Sequence, residues 1–145
     1  MAKILVVYFS ETGNTKQMAE RVAEGARTEG VHDVQLVDVR QLDLKDFVHA
    51  DAFALGSPDY FTYVAGEMKT LFDRSLAHVK ELKGKPFVSF VSHGGGGGAI
   101  ESLQKLGKAV GLNAVSEGLK VQGAPTGESV KACRALGRTL SQALD

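Results

Sequence analysis

The sequence predicts an α/β protein built on one parallel sheet with helices packed against both faces. Short apolar runs alternate with longer amphipathic stretches along all 145 residues. Strands separated by helix-length segments need crossover connections, and such connections join parallel neighbours. The apolar runs lack a regular polar alternation, which is typical of strands buried on both faces. We expect one domain, residues 1–145, because a chain of this length buries roughly 70% of its unfolded surface in a single core.

Five apolar segments are the predicted strands. The first is the continuous run from Ile4 to Phe9, and the fourth runs from Phe87 to Val91 directly after Lys85-Pro86. The other three predicted strands are Val34 to Val39, Ala52 to Leu55 and Ala114 to Val121. The last of these contains more polar residues than the others, which favours a position at an edge of the sheet.

Four amphipathic segments are the predicted helices, because their apolar residues recur every three or four positions. These segments are 14–29, 65–78, 99–111 and 128–143. Gly30 is the predicted end signal of the first helix. Cys133 falls on the apolar stripe of the last helix, so we expect a buried and unreactive thiol.

Charge, hydropathy and cysteine content narrow the class of function. The chain carries 17 basic and 17 acidic residues, so no net field attracts nucleic acid or an anionic membrane. No apolar run approaches the length of a membrane span. The single cysteine cannot form an internal disulfide, which favours a reducing compartment, and we expect a cytoplasmic protein. No group of His, Cys and carboxylate residues has the spacing of metal ligands, so we expect no metal.

The first candidate ligand-binding loop, Ser10-Glu11-Thr12-Gly13-Asn14-Thr15, joins the first strand to the first helix. Its hydroxyl groups and the free amides of the helix start suit a phosphate dianion, and Gly13 permits close backbone approach. The loop has neither the Gly-Lys-Ser/Thr of a P-loop nor Gly-x-Gly-x-x-Gly. An ordinary helix start capped by Asn14 or Thr12 is the alternative, and this loop alone does not decide between the two.

The second loop, Gly56-Ser57-Pro58-Asp59-Tyr60-Phe61-Thr62-Tyr63, follows the third strand. It holds three aromatic residues within four positions, although only 7% of the chain is aromatic. Such rings can stack on a planar ligand at the carboxyl edge of the sheet. The alternative is that they simply cover that edge.

The third loop, Ser92-His93-Gly94-Gly95-Gly96-Gly97-Gly98, follows the fourth strand and opens a helix. Its glycines expose backbone N–H groups that can bind carbonyl oxygens or a negative charge on a ligand. A loop without a ligand is the alternative, since polyglycine is costly to order. All three loops follow the carboxyl ends of strands, where an open α/β sheet binds its ligand, so together they favour a binding site.

These loops resemble those of the flavodoxin family. The shared marks are Ser-x-Thr-Gly-Asn-Thr after the first strand, Gly-Ser-Pro-x-Tyr after the third, and Gly-Lys-Pro before a fourth strand that ends in glycines. The resemblance covers nearly the whole chain, and it is strongest to the short flavodoxin-like domains that also occur fused in diiron flavoproteins. It implies a three-layer sandwich with five parallel strands in the order 2-1-3-4-5, which is the known order of flavodoxin.

The resemblance also implies a cofactor and a function. FMN would bind with its phosphate in the first loop and its isoalloxazine ring between the second and third loops. The implied binding residues are Ser10, Glu11, Thr12, Gly13, Asn14, Thr15, Ser57, Pro58, Asp59, Tyr60, Phe61, Thr62, Ser92, His93, Gly94, Gly95, Gly96 and Gly97. The implied function is electron transfer between redox protein partners. An NAD(P)H-dependent FMN or quinone reductase and a phosphate-binding module without flavin are the alternatives on the same fold.

Three features depart from the family pattern. Flavodoxins are strongly acidic, whereas this chain has a formal net charge of zero. The third loop lacks the usual stacking Tyr or Trp and offers only His93, so stacking falls to Tyr60 or Phe61. No glycine lies between Ser57 and Ala65, where the family commonly has one. Because a non-glycine residue turns less readily into the required conformation, we expect weak stabilisation of the neutral semiquinone.

Overall fold

The computed structural model describes residues 1–145 and confirms the α/β architecture. The strands are β1 (Lys3–Tyr8), β2 (Asp33–Asp38), β3 (Ala52–Pro58), β4 (Pro86–His93), β5 (Asn113–Ala114) and β6 (Leu119–Gln122). The α-helices are α1 (Asn14–Ala26), α2 (Leu44–His49), α3 (Gly66–Ser75), α4 (Val79–Leu82), α5 (Ala99–Ala109) and α6 (Glu128–Gln142). Short 3-10 turns occupy Val39–Gln41 and Leu76–His78. No helix is both long enough and apolar enough to cross a bilayer.

The sheet is parallel throughout, and its strands lie in the order β2-β1-β3-β4-β5, with β6 also paired to β4. The predicted order is therefore confirmed. The winding reverses between β1 and β3, since β2 lies on one side of β1 and every later strand lies on the other. The register sets Pro58 opposite Ser92 and His93 opposite Gln122, so the carboxyl ends of these strands meet at one edge.

Alternate residues of each central strand face two separate apolar cores. Leu5 and Val7 of β1 belong to a core formed with α2, α3, α4 and α5. Ile4 and Val6 belong to the opposite core, formed with α1 and α6. Because both faces of the strand are covered, neither needs polar residues, which accounts for the continuous apolar run in the sequence.

The predicted fifth strand, Ala114 to Val121, is wrong as one continuous element. Residues 115–118 interrupt it and separate β5 from β6. Gly118 has φ +92, and a Cβ there would lie 2.6 Å from the hydroxyl of Ser89. The side chain of Gln104 accepts a hydrogen bond from that hydroxyl at 2.6 Å and donates to the Ser116 carbonyl at 2.9 Å. A side chain of α5 thus satisfies a backbone group in the interruption.

The helices begin close to their predicted positions, but several end differently. The predicted helix 65–78 ends at Ser75 and is followed by a 3-10 turn and α4. The short helix α2 was not predicted. It begins where the Asp43 side chain accepts a hydrogen bond from the Lys45 N–H at 2.9 Å, and it buries Phe47 and Val48. Six residues are too few to show a helical period in the sequence.

Candidate functional site

A cavity of about 370 Å³ opens at the carboxyl edge of the sheet. Residues that follow β1, β3, β4 and β6 line it: Glu11, Thr12, Asn14, Thr15, Pro58, Asp59, Tyr60, Ser92, His93, Gly94, Gln122 and Gly123. Members of all three predicted loops therefore meet at one place. The volume falls within the range of about 300–1,000 Å³ that is usual for small-molecule sites.

Two larger depressions lie elsewhere on the surface. One, of about 460 Å³, lies between α2 and the α3–α4 segment, and the other, of about 510 Å³, lies beside α5 and β5. Neither is lined by a residue whose buried polar side-chain atom lacks a partner. The cavity at the carboxyl edge has two such residues, Asp59 and His93, and all three predicted loops. We therefore assign the candidate site to the carboxyl edge.

The first loop presents the start of α1 to this cavity. Helix α1 begins at Asn14, and the residue before it, Gly13, has φ +101. No side chain accepts a capping hydrogen bond at the start of the helix. The alternative that Thr12 or Asn14 caps it is therefore wrong. The first amides of the helix therefore remain free for an anion. Ser10 supports the loop, because its hydroxyl oxygen accepts a hydrogen bond from the Gly13 N–H at 3.1 Å.

The first and third loops are joined beneath the cavity. The hydroxyl groups of Thr15 and Ser92 form a hydrogen bond of 2.7 Å, and both residues are buried. A hydroxyl can donate one hydrogen bond and accept two, so each group keeps further bonding capacity. This contact fixes the position of the first loop relative to the end of β4.

The second loop is supported by Ser57, whose side chain is fully buried. Its hydroxyl donates to the Pro58 carbonyl at 2.8 Å and accepts from the Ala65 N–H at 2.9 Å. The second bond ties the start of the loop to the residue just before α3, so Ser57 shapes the loop without lining the cavity. Tyr60 does line the cavity. Burial raises the pKa of its hydroxyl, and the negative charges of nearby acidic side chains raise it further.

The second loop ends in a tight turn at Phe61 and Thr62. Tyr60 and Tyr63 exchange backbone hydrogen bonds of 2.9 and 3.1 Å across it. Phe61 has φ +57 and Thr62 has φ +68, the signs of a type I′ turn, which Gly and Asn normally occupy. Non-glycine residues have thus adopted left-handed backbone in the segment that lacks glycine. The ring of Phe61 is fully exposed and does not line the cavity.

Two polar atoms of cavity-lining side chains are buried without a hydrogen-bond partner in the protein. They are Oδ1 of Asp59 and Nδ1 of His93. A buried polar group without a hydrogen-bond partner lowers the stability of the fold by about 1–3 kcal/mol. A ligand that supplies the missing partner would therefore gain affinity from each of these atoms. The isoalloxazine ring of FMN carries an N–H donor at N3 and several carbonyl and nitrogen acceptors. The residues present therefore fit this cofactor: free helix amides for its phosphate and unpaired polar atoms for its ring.

The structure adds a fourth loop that was not predicted. Gln122 and Gly123 follow β6 and line the cavity. The Gly123 N–H donates to the His93 carbonyl at 2.9 Å, and the Gln122 amide donates to the Gly94 carbonyl at 3.3 Å. The sequence could have indicated this loop, because it follows the predicted fifth strand, which also ends at the carboxyl edge. The remaining predicted residues do not line the cavity: Ser10, Gly13, Ser57, Phe61, Thr62, Gly95, Gly96 and Gly97.

Comparison with known proteins agrees with this geometry. The sequence profile of the flavodoxin family matches residues 6–137. A flavodoxin of Aquifex aeolicus is 39% identical, over 98% of this chain and 86% of that protein. A coenzyme F420H2 oxidase of Methanothermobacter marburgensis is 33% identical over 96% of this chain, which spans only 35% of that protein. The solved structure of a flavodoxin from the domain Archaea superposes with a TM-score of 0.90 and 28% identity, covering 98% of both chains. The chain therefore belongs to the flavodoxin family, and it is an FMN-binding electron-transfer protein.

Proposed function

We propose that this protein carries electrons between redox protein partners while FMN is held in the carboxyl-edge cavity. The observation that carries the proposal is the meeting of three loops at a cavity with two buried, unpaired polar atoms. FMN supplies the electron-transfer chemistry, and the chain binds, orients and tunes it. The binding residues are the cavity-lining members of the three predicted loops, with Gln122 and Gly123 added from the structure.

The phosphate belongs in the loop from Ser10 to Thr15. The uncapped start of α1 supports this placement, because its amides have no partner in the protein and its dipole favours a negative charge. The ring belongs between the Pro58–Tyr60 and Ser92–Gly94 segments, which line the cavity. Tyr60, and not the outward-facing Phe61, is the aromatic residue available for stacking.

We place the protein in the cytoplasm. Its single cysteine supports this, since it cannot form an internal disulfide, and chains without disulfides are typical of a reducing compartment. Cys133 is fully buried on α6, and burial raises the pKa of its thiol to about 11. Such a thiol stays protonated at neutral pH and has no role in disulfide or redox chemistry.

Replacing Thr12 and Thr15 by valine tests the phosphate site. Hydrogen bonds to a charged group are worth about 1.5–3 kcal/mol each, so we expect T12V/T15V to raise the FMN dissociation constant roughly tenfold or more. Flavin fluorescence quenching by the apoprotein measures this constant. Thr139→Val, on the exposed face of α6, is the matched control and leaves the constant unchanged.

Riboflavin, which has no phosphate, is the second control. Its affinity is expected to fall much less than that of FMN in T12V/T15V, because riboflavin loses only the support of the Thr15–Ser92 contact. An equal loss of affinity for riboflavin and FMN contradicts the phosphate assignment, because the two threonines would then act on the ring or on the fold.

Anaerobic mixing with NADH or NADPH distinguishes a carrier from a reductase. We expect the flavin absorbance to persist when no partner protein is present, because a carrier receives its electrons from another redox protein. Rapid bleaching by either nucleotide assigns the reductase function instead.

A further inference from the structure

Asp59 holds both ends of the glycine loop, defined here as residues 93–97. Its backbone N–H donates to the Ser92 carbonyl at 2.9 Å, directly before the loop. Its carboxylate oxygen Oδ2 accepts from the Gly97 N–H at 2.8 Å, at the far end of the loop. One residue of the second loop therefore closes the third loop through two hydrogen bonds.

The glycine loop needs hydrogen bonds of this kind to hold one conformation. Gly94, Gly95 and Gly96 are exposed and have no side chains with which to pack. Glycine also loses more backbone freedom on ordering than any other residue. Gly97 has φ +76, and a Cβ there would lie 2.9 Å from the side chain of Lys120 and 3.0 Å from the ring of His93. The hydrogen bond that the Gly97 N–H donates to Asp59 therefore restricts the shapes that the loop can adopt.

The second carboxylate oxygen of Asp59 has a different role. Oδ1 is buried, has no partner in the protein, and belongs to a residue that lines the cavity. An ionised carboxylate oxygen can only accept hydrogen bonds, so its missing partner must be a donor. The isoalloxazine ring has an N–H donor at N3, and it gains another at N5 when it is reduced.

We propose that Asp59 is a positioning residue with two tasks: Oδ2 holds the glycine loop in its binding shape, and Oδ1 accepts a hydrogen bond from a ring N–H of FMN. The inference rests on the proposed placement of the ring in this cavity. The negative charge of Asp59 beside the ring also opposes the uptake of electrons, so it lowers the reduction potential of the bound flavin.

Two substitutions separate the two tasks. In Asp59→Asn, one amide oxygen can still accept from the Gly97 N–H, but the NH2 group cannot accept from the ring and carries no charge. In Asp59→Ala, both side-chain bonds are lost, whereas the backbone bond to the Ser92 carbonyl is kept. The matched control is Asp51→Asn, because the Asp51 carboxylate also accepts a backbone N–H, from Lys3 at 2.8 Å, far from the carboxyl edge.

Amide hydrogen exchange of the apoprotein measures the first task without flavin. We expect exchange at Gly97 to be at least tenfold faster in D59A and close to the wild-type rate in D59N and D51N. Wild-type protection in D59A overturns the closing role. Equally fast exchange in D59N and D59A also overturns it, because the amide oxygen of asparagine can still accept from the Gly97 N–H and should keep its exchange slow.

Flavin affinity and potential measure the second task. We expect D59N to raise the dissociation constants of FMN and of riboflavin by a similar factor, roughly tenfold, and to make the flavin midpoint potential more positive. A D59N protein with wild-type affinity and potential overturns the ring contact. If the wild-type protein binds no FMN, the proposed function itself is refuted. The closing role of Asp59 is tested independently, because the hydrogen-exchange experiment uses the apoprotein.

Discussion

Phe61 presents a fully exposed aromatic ring on a turn whose backbone disfavours it. Left-handed backbone costs a non-glycine residue about 1–2 kcal/mol, and asparagine tolerates it better than other residues. Because the ring packs against nothing, its removal loses no core contact. We expect Phe61→Asn to raise the free energy of unfolding of the apoprotein by about 0.5–1 kcal/mol, measured by urea denaturation.

Phe61→Ala is the control for this prediction. It removes the same exposed ring but keeps the left-handed strain, so we expect its stability to stay within about 0.5 kcal/mol of the wild-type protein. If F61A and F61N gain equally, the gain comes from removing an exposed apolar ring, and the strain explanation is wrong.

Helices α1 and α6 approach each other so closely that two glycines are required. A Cβ on Gly137 of α6 would lie 2.0 Å from the Val22 carbonyl oxygen, and a Cβ on Gly25 would lie 1.9 Å from that of Arg134. Both obstacles are backbone atoms, so one helix must move. We expect Gly137→Ala to lower the free energy of unfolding by about 1–3 kcal/mol, measured by urea denaturation, despite the better helix propensity of alanine.

Gly66→Ala is the matched control at the start of α3. A Cβ there would have nothing within 4 Å, and the backbone has an ordinary φ. We expect G66A to be neutral or to gain about 0.4–1 kcal/mol, because alanine restricts the unfolded chain. If G137A is as stable as the wild type, α1 and α6 can move apart without a loss of folding free energy, and the requirement for glycine is wrong.

The elements that the sequence predicts well are those whose signal is local. The run from Ile4 to Phe9 indicates a strand because every residue in it is buried on one face or the other. The break in the fifth strand combines Gly118, whose φ is +92, with a hydrogen bond from Gln104, which lies on a different element. A pattern within residues 114–121 carries no information about that side chain, so periodicity alone predicts one continuous strand.

The candidate site divides in the same way. The three loops were predictable because each directly follows a strand, and the carboxyl ends of parallel strands meet at one edge. The contact between Asp59 and Gly97 joins residues 38 positions apart, so the sequence does not reveal it. The unpaired Oδ1 of Asp59 is likewise a property of the packed structure. The sequence therefore locates the site, whereas its internal bonding needs the fold.

At the scale of the whole molecule, the balance of charge should govern the rate of electron transfer. The chain is formally neutral, and exposed side chains of both signs lie near the candidate site. Glu11 lines the cavity and Glu67 raises the pKa of Tyr60, whereas Lys120 borders Gly97 and Lys16 lies in the first turn of α1. Because the polypeptide contributes no dominant sign, the FMN phosphate is the main net charge of the loaded protein, and the dipole of α1 offsets part of it. Long-range steering is therefore weak. The reduced protein should therefore react with anionic ferricyanide and with cationic hexaammineruthenium(III) at rates that change by less than about threefold between about 0.02 and 0.5 M salt.

Stopped-flow absorbance of the flavin measures both rates, and charge reversal supplies the control. The variant K16E/K120E makes the surroundings of the cavity acidic, so we expect it to react more slowly with ferricyanide and faster with the ruthenium reagent at low salt. Both differences should fade as salt screens the new charges. A steep salt dependence of opposite sign for the two reagents in the wild-type protein would contradict this prediction, because it would reveal a local field at the flavin that the neutral total charge conceals.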